Sequence, residues 1–170
     1  MRMDPSEPVR AYDLINETGE RELARIIYEY GEERASRRIA RAIVNARSRA
    51  PIAGTGELRS LLERVLGPHR GGVHPATRTF QALRIAVNHE LQSLQRFLEK
   101  APGLLARGGR ICVLAYHSLE DRPVKEAFRE LGREPDFTLL TRKAMRPSLA
   151  ETADNPRSRS ARLRCLERNL

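Results

Sequence analysis

Three short polar clusters hold most of the residues in this chain whose types and spacing could do chemistry. The first, His117-Ser-Leu-Glu-Asp-Arg122, directly follows the apolar run Ile111-Cys112-Val113-Leu114-Ala115-Tyr116. That places it at the carboxyl end of a buried strand, where open α/β sheets put their ligands. There His117 could orient or deprotonate a substrate, and Glu120 or Asp121 could accept a hydrogen bond from an amine. A purely local reading competes: Ser118 caps the next helix, Asp121 returns the cap bond, and Glu120 favours the helix dipole.

The second cluster is His74-Pro-Ala-Thr-Arg-Thr-Phe-Gln-Ala-Leu-Arg84. Arg78, Gln81 and Arg84 recur at i, i+3 and i+6 and so share roughly one helix face. Arginine at a helix start opposes the dipole, which predicts an anionic partner for Arg78, either a carboxylate of neighbouring helices or a phosphate. The third cluster, Asn155-Pro-Arg-Ser-Arg-Ser160, alternates Arg and Ser in a turn, a pattern suited to a phosphate backbone or to a solvated basic loop.

The elements that must position these clusters change character along the chain. From Ala11 to Leu66 the apolar period is helical: Leu23, Ile26, Ile27 and Tyr30, then Ile39 and Ile43, then Leu58, Leu61, Leu62 and Val65. This predicts a small helical bundle, with Gly67 to His74 as a loop after it. Phe80, Leu83, Val87, Leu91, Leu94 and Leu98 then predict one long helix, stopped at Pro102-Gly103. The run Ile111 to Tyr116 predicts a strand buried on both faces of a parallel sheet. A helix through Leu131, a weak strand at Phe137 to Leu140, a polar loop from Pro147 to Ser160 and a final strand at Ala161 to Glu167, placed at an edge, complete the series. A doubly buried strand needs neighbours on both edges, and two C-terminal strands leave that sheet incomplete. Another chain or a missing segment must supply the rest, and unpaired edges predict self-association.

The chain has 170 residues, 31 of them Lys or Arg against 22 Asp or Glu, for a net charge of +9. Only Lys100, Lys125 and Lys143 are lysines, so 28 of the 31 are arginine. A guanidinium fork binds phosphate bidentately and stacks on bases, so the bias points to a nucleic-acid partner; a GC-rich genome would produce the same bias. Arg34, Arg37, Arg38, Arg41, Arg47 and Arg49 fall within sixteen residues, either as a phosphate-contacting face or as a solvated surface partly neutralised by Glu29, Glu32 and Glu33. No apolar run approaches the roughly 18 residues a membrane span needs, and the N-terminus lacks the apolar core of a signal peptide. The chain therefore reads as cytoplasmic. Cys112 and Cys165 occur without a CxxC or a nearby His and read as two reduced packing thiols, with no metal site. No GxGxxG, GxxxxGK[ST], GxSxG or HExxH motif is present.

The three clusters, in this order, resemble the C-terminal part of the MraW/RsmH family, S-adenosylmethionine-dependent methyltransferases of the N4 amine of a cytidine in 16S ribosomal RNA. The resembling stretches include Met1-Arg-Met-Asp4, Tyr30-Gly-Glu-Glu-Arg34, Arg38-Ile-Ala-Arg-Ala-Ile43, Ala76 to Asn88, Gly108-Gly-Arg110, His117 to Arg122 and Asn155 to Ala161. The resemblance implies an α/β fold, the C-terminal part of a Rossmann-like class I methyltransferase sheet, with an inserted all-α helical domain. Residues 1–76 would be the helical insertion and residues 77–170 the returning half of the catalytic domain. Tyr116 stands where the family usually has Phe, and Pro123, expected in the first turn of its helix, stands where an aliphatic is usual.

The family's S-adenosylmethionine site lies upstream of the Met-Arg-Met-Asp block, so the resemblance places no cofactor-binding residue in this chain. It assigns RNA binding to Arg78, Gln81, Arg84, Arg157, Ser158 and Arg159, and a substrate pocket to His117, Glu120, Asp4 and Arg2. The implied partner is 16S ribosomal RNA or the small ribosomal subunit, with no membrane. The competing class is a non-enzymatic RNA-binding or ribosome-assembly protein of the same descent. An unrelated helix-turn-helix DNA binder would require residues 111–116 to be helical.

Overall fold

The computed structural model describes residues 1–67 and 74–170; of the expected loop between Gly67 and His74, residues 68–73 lie outside the described residues. The chain divides into two compact units, Met1–Glu90 and Leu91–Leu170.

The first unit is all helical: α1 (Ala11–Glu17), α2 (Glu20–Gly31), α3 (Ser36–Arg47), α4 (Thr55–Leu66) and α5 (Thr77–Asn88). The apolar stripes read from the sequence face one core of Ile15, Leu23, Ile27, Ile39, Ile43, Leu58, Leu62 and Leu83. The connections are tied by side chains. Asn16 donates to Ile52 O (3.0 Å) and accepts from Ile52 N (2.8 Å), which anchors the segment between α3 and α4. Arg47 donates to the carbonyls of Ile15 and Thr18, both at 2.6 Å, so its charge meets the C-terminal end of α1. Helix α2 ends with Glu32 in the left-handed region (φ 48°).

Helices α2 and α5 pack together, and at Gly31 they approach so closely that a Cβ would stand 2.6 Å from the Arg78 carbonyl oxygen and 3.3 Å from Ala82 Cβ.

The long helix expected from Phe80 to Leu98 is two helices, α5 and α6 (Glu90–Lys100), because His89 between them is left-handed (φ 50°). Its apolar stripe serves two cores: Leu83 belongs to the first unit, Leu94 and Leu98 to the second.

In the second unit, β1 (Arg110–Ala115), α7 (Ser118–Leu131), β2 (Phe137–Leu139), α8 (Leu149–Asp154) and β3 (Arg162–Arg168) follow α6. The sheet order is β1-β3-β2 and both pairings are antiparallel, with Ile111 opposite Leu166 and Leu139 opposite Leu166 on the other side. The last strand, expected at an edge, is thus central. The strand at 110–115 also removes the helix-turn-helix alternative.

Burial along β1 alternates: Ile111 and Ala115 are buried while Leu114 is 50% exposed. One face packs, with Val124 and Phe128 of α7, into a core of Leu98, Ile111 and Leu166. The expectation of a parallel strand buried on both faces is corrected among the described residues: Ile and Leu repeat in its sequence, but only alternate positions meet a helix. The polar stretch expected as loop holds α8 and a 3₁₀ turn at Pro156–Ser160. Pro123 lies in the second turn of α7, not the first, since the helix opens at Ser118.

Register also corrects the reading of the cysteines. Cys112 of β1 stands directly opposite Cys165 of β3, with Cα atoms 4.2 Å apart, and their sulfur atoms are joined as a disulfide. Fifty-three residues separate them, and nothing in either local motif reveals that pairing. Among the described residues no helix is long and apolar enough to cross a membrane.

The α2–α5 contact yields a prediction. Gly31→Ala forces a methyl group against backbone and should lower the unfolding free energy by roughly 1–3 kcal/mol, read by urea titration, whereas Gly56→Ala, where a Cβ has open space, should be neutral or stabilising.

Candidate functional site

Each unit carries its own polar cluster. In the second unit β1 ends at Ala115, the chain stays extended through His117 (φ −142°, ψ 167°), and α7 begins at Ser118. His117 is therefore the capping residue, and Ser118 is the first helical position. The carboxylate that reaches back to the helix start is Glu120, whose Oε2 accepts from Tyr116 N at 2.9 Å. Its Oε1 lies 3.3 Å from Nε2 of the largely buried His117 ring.

Asp121 has a different role from the cap partner the sequence suggested. The residue is buried, 7% exposed, and its carboxylate accepts from Arg164 Nε (2.7 Å) and Nη2 (3.2 Å) and from Arg162 Nη1 (3.0 Å). Arg164 is equally buried. The expected Ser118–Asp121 capping box is corrected on that ground: the helix is capped one residue earlier, at His117, and the Asp121 carboxylate is engaged by two strand arginines. Arg164 above all, with Arg162, holds the Asp121 carboxyl below the usual carboxylate range against the opposing effect of burial. Two arginines at i and i+2 of a strand with one packed face are the sequence signal for such a partner.

In the basic turn, Asn155 Oδ1 accepts from Arg157 N (3.3 Å), and Ser158 Oγ donates to Asn155 O (2.8 Å). Ser158 is buried by this, with Arg157 and Arg159 exposed on either side. The two guanidinium groups are thus the available part of that cluster.

In the first unit, the start of α5 borders a groove of about 510 Å³ lined by Arg59, His74, Gln81 and Arg84 among others. His74 Nδ1 accepts from Ala76 N (3.1 Å), which leaves Nε2–H to donate to Glu63 (2.8 Å). Arg59 and His74 together hold the Glu63 carboxyl below its ordinary range, Arg59 first. Gln81 donates to Tyr30 O (3.1 Å), and Arg84 makes a bidentate pair with Glu90 (2.8 and 2.9 Å). Arg78 is exposed; it donates to Glu32 O (3.4 Å) and lies 4.0 Å from Glu33, so a bundle carboxylate stands near this helix start while most of the guanidinium stays open to solvent.

Asn88, not singled out in the sequence, ties the N-terminal block to α5. It accepts from Met3 N (2.7 Å) and donates to Met1 O (3.0 Å) and Arg84 O (2.8 Å). This holds Arg2 and Asp4 beside the end of α5. Arg2 donates to Glu7 O (2.6 Å); Asp4 accepts from Ser6 N and Oγ (2.8 and 2.7 Å), and Ser6 lowers its carboxyl below the ordinary value. The structure therefore brings Arg2, Asp4, Gln81 and Arg84 into one unit, and His117 and Glu120 into one turn of the other.

Glycine in a turn lets a ligand approach the backbone closely. The β1–α7 turn has no glycine, and its Tyr116 N–H is taken by Glu120. The described residues of this turn do not fit S-adenosylmethionine.

A basic helical unit and a small mixed α/β unit with a polar turn at a strand end define the class. A family model described as the MraW methylase family matches residues 1–169, and the chain belongs to that family. The chain is 53% identical over 98% of its length to "Ribosomal RNA small subunit methyltransferase H" of Solibacter usitatus, covering 57% of that protein. It is 54% identical over its whole length to the protein of the same name from Synechococcus elongatus, covering 56% of it, and 49% identical to that of Coprothermobacter proteolyticus. The chain spans about half the length of the curated relatives it matches.

The Asp121 cluster makes the stability of the fold depend on pH. The folded-state value of the carboxyl is lowered, so its ionised form stabilises the fold above the unfolded-chain value near pH ~4, and the contribution is lost as pH falls through the folded-state value. Asp121→Asn should lower the unfolding free energy by about 3 kcal/mol at neutral pH, with the difference from wild type shrinking below pH ~4; a pH-independent difference in urea titrations would contradict it.

Proposed function

We propose that this chain is the C-terminal portion of an S-adenosylmethionine-dependent enzyme that methylates the N4 amine of a cytidine in 16S ribosomal RNA. The observation that carries this is the family match over residues 1–169 together with relatives near 50% identity named for small-subunit ribosomal RNA methylation. In this reading residues 1–76 are a helical insertion and residues 77–170 the returning part of a Rossmann-like domain whose cofactor half lies outside the chain. The protein works in the cytoplasm on the small ribosomal subunit, and the isolated chain is inactive and self-associates through its sheet edges.

The residues divide by what they can do. Arg78 of the first unit and Arg157 and Arg159 of the second are exposed and suit phosphate contacts; Gln81 and Arg84 in the first unit and Ser158 in the second support them through bonds inside their own unit. His117 and Glu120 supply an imidazole and a carboxylate at a strand end, where an acceptor can orient an exocyclic amine. The amine lone pair is delocalised into the ring, so orientation matters more than strong basicity, and the base must leave its stack to be reached. Arg2 and Asp4 are assigned to the substrate side of the first unit.

A second reading is a non-enzymatic RNA-binding or assembly protein of the same descent, supported by the exposed guanidinium groups of Arg78, Arg157 and Arg159, which need no methyl donor to hold phosphate. Two measurements separate the readings. The product of the complete reading frame, given unmethylated small-subunit RNA and labelled donor, should yield N4-methylcytidine by nucleoside mass spectrometry. The rate should fall roughly tenfold or more in Glu120→Gln. RNA binding without transfer would establish the second reading. Calorimetry of the 170-residue chain with S-adenosylmethionine should show no binding tighter than weak millimolar, and micromolar affinity would overturn the placement of the cofactor site outside it.

A further inference from the structure

The faces of α2 and α3 that point away from the core enclose a groove of about 810 Å³ lined by Arg21, Arg25, Tyr28, Arg34, Arg37 and Arg41, with Glu20 its only acid among the described residues. Helical spacing builds it: Arg21, Arg25 and Tyr28 stand at i, i+4 and i+7 on α2, Arg37 and Arg41 at i and i+4 on α3, and Arg34 in the turn between. Leu23 and Ile27 of α2 and Ile39 and Ile43 of α3 are fully buried and fix both helices.

Not all of this charge is open. Arg25 is held by Glu22 (2.6 Å) and Glu29 (2.5 Å), and Arg41 reaches Glu20 at 3.5 Å. Arg21, Arg34 and Arg37 are exposed and have no carboxylate or carbonyl partner among the described residues. Beside them Tyr28 keeps 60% of its surface in water, the most exposed aromatic ring among the described residues. Three uncompensated guanidinium groups around an exposed ring match the chemistry of a single strand: phosphates along the cations, and a base on the aromatic face. An acidic protein segment would use the cations and leave the ring unused.

We propose that this groove holds a single-stranded RNA segment, with Arg21, Arg34 and Arg37 on consecutive phosphates and a base stacked on Tyr28. None of these residues belongs to the contacts assigned above. The inference rests on the proposed RNA substrate and adds a second anchoring surface to it.

The chain contains no Trp, so Tyr28→Trp introduces a single reporter ring at the groove. Single-stranded RNA should quench it, and poly-glutamate should not. In anisotropy with labelled single-stranded RNA, replacing Arg21, Arg34 and Arg37 by Ala should weaken binding at least tenfold. It should also reduce the salt slope by roughly 2, at ~0.7 per phosphate. Tyr28→Ala should lose roughly tenfold while Tyr28→Phe retains binding. A control replacing the equally exposed Arg96, Arg107 and Arg129 removes the same charge and should have a smaller effect. Equal losses in both triple variants, or quenching by poly-glutamate but not by RNA, would overturn the groove and leave the methyltransferase reading standing. Failure of the wild-type chain to bind any RNA would overturn RNA recognition by this chain in both places.

Discussion

The buried ion cluster of Asp121 with Arg164 and Arg162 is the interaction on which the candidate site of the second unit depends. Taking a carboxylate and a guanidinium out of water costs several kcal/mol per ion, so the cluster persists only because its geometry satisfies both sides. Its structural effect is to pin the first turn of α7 to the central strand β3. Glu120 and His117 lie within four residues of Asp121, on the same turn, and inherit their positions from it. Strand β3 in turn pairs with both β1 and β2, so one strand sets the register of the whole sheet and aligns Cys112 with Cys165.

The first unit is held by a different constraint, the close approach of α2 and α5 at Gly31. That contact brings the α2 C-terminus over the start of α5, where Gln81 donates to Tyr30 O and Arg78 to Glu32 O. The far end of α5 carries Asn88, which fastens the N-terminal residues. A family block read as a string of matching letters thus separates into one glycine for proximity, one amide for anchoring, Arg84 paired with a carboxylate and Arg78 left largely exposed.

Much of this was legible because it is periodic. The helical stripes from Leu23 to Val65 specify the bundle, and the apolar run at 111–116 specifies a strand. The break at His89 was not legible, because the apolar spacing runs straight through it; a single left-handed residue leaves no trace in hydrophobicity. The strand order was hidden for a related reason: alternation in Arg162 to Arg168 says that a strand forms, not which strands flank it. The disulfide is a long-range pairing invisible to local spacing, and the Asp121 cluster shows in the sequence only as two arginines on one strand face, which does not name their partner. The groove between α2 and α3 lay half in view as a run of arginines, and the exposure of Tyr28 distinguishes it from a solvated face.

If the Asp121 cluster positions the β1–α7 turn, the two charges must be energetically coupled. A double-mutant cycle on Asp121→Ala and Arg164→Ala, measured by the unfolding free energy of the 170-residue chain, tests this most directly. The expected coupling is about 2 kcal/mol, the double variant being far less destabilised than the sum of the singles because each single leaves a buried charge without its partner and the double removes both. Additivity within ~0.5 kcal/mol would show that the pair does not hold the turn.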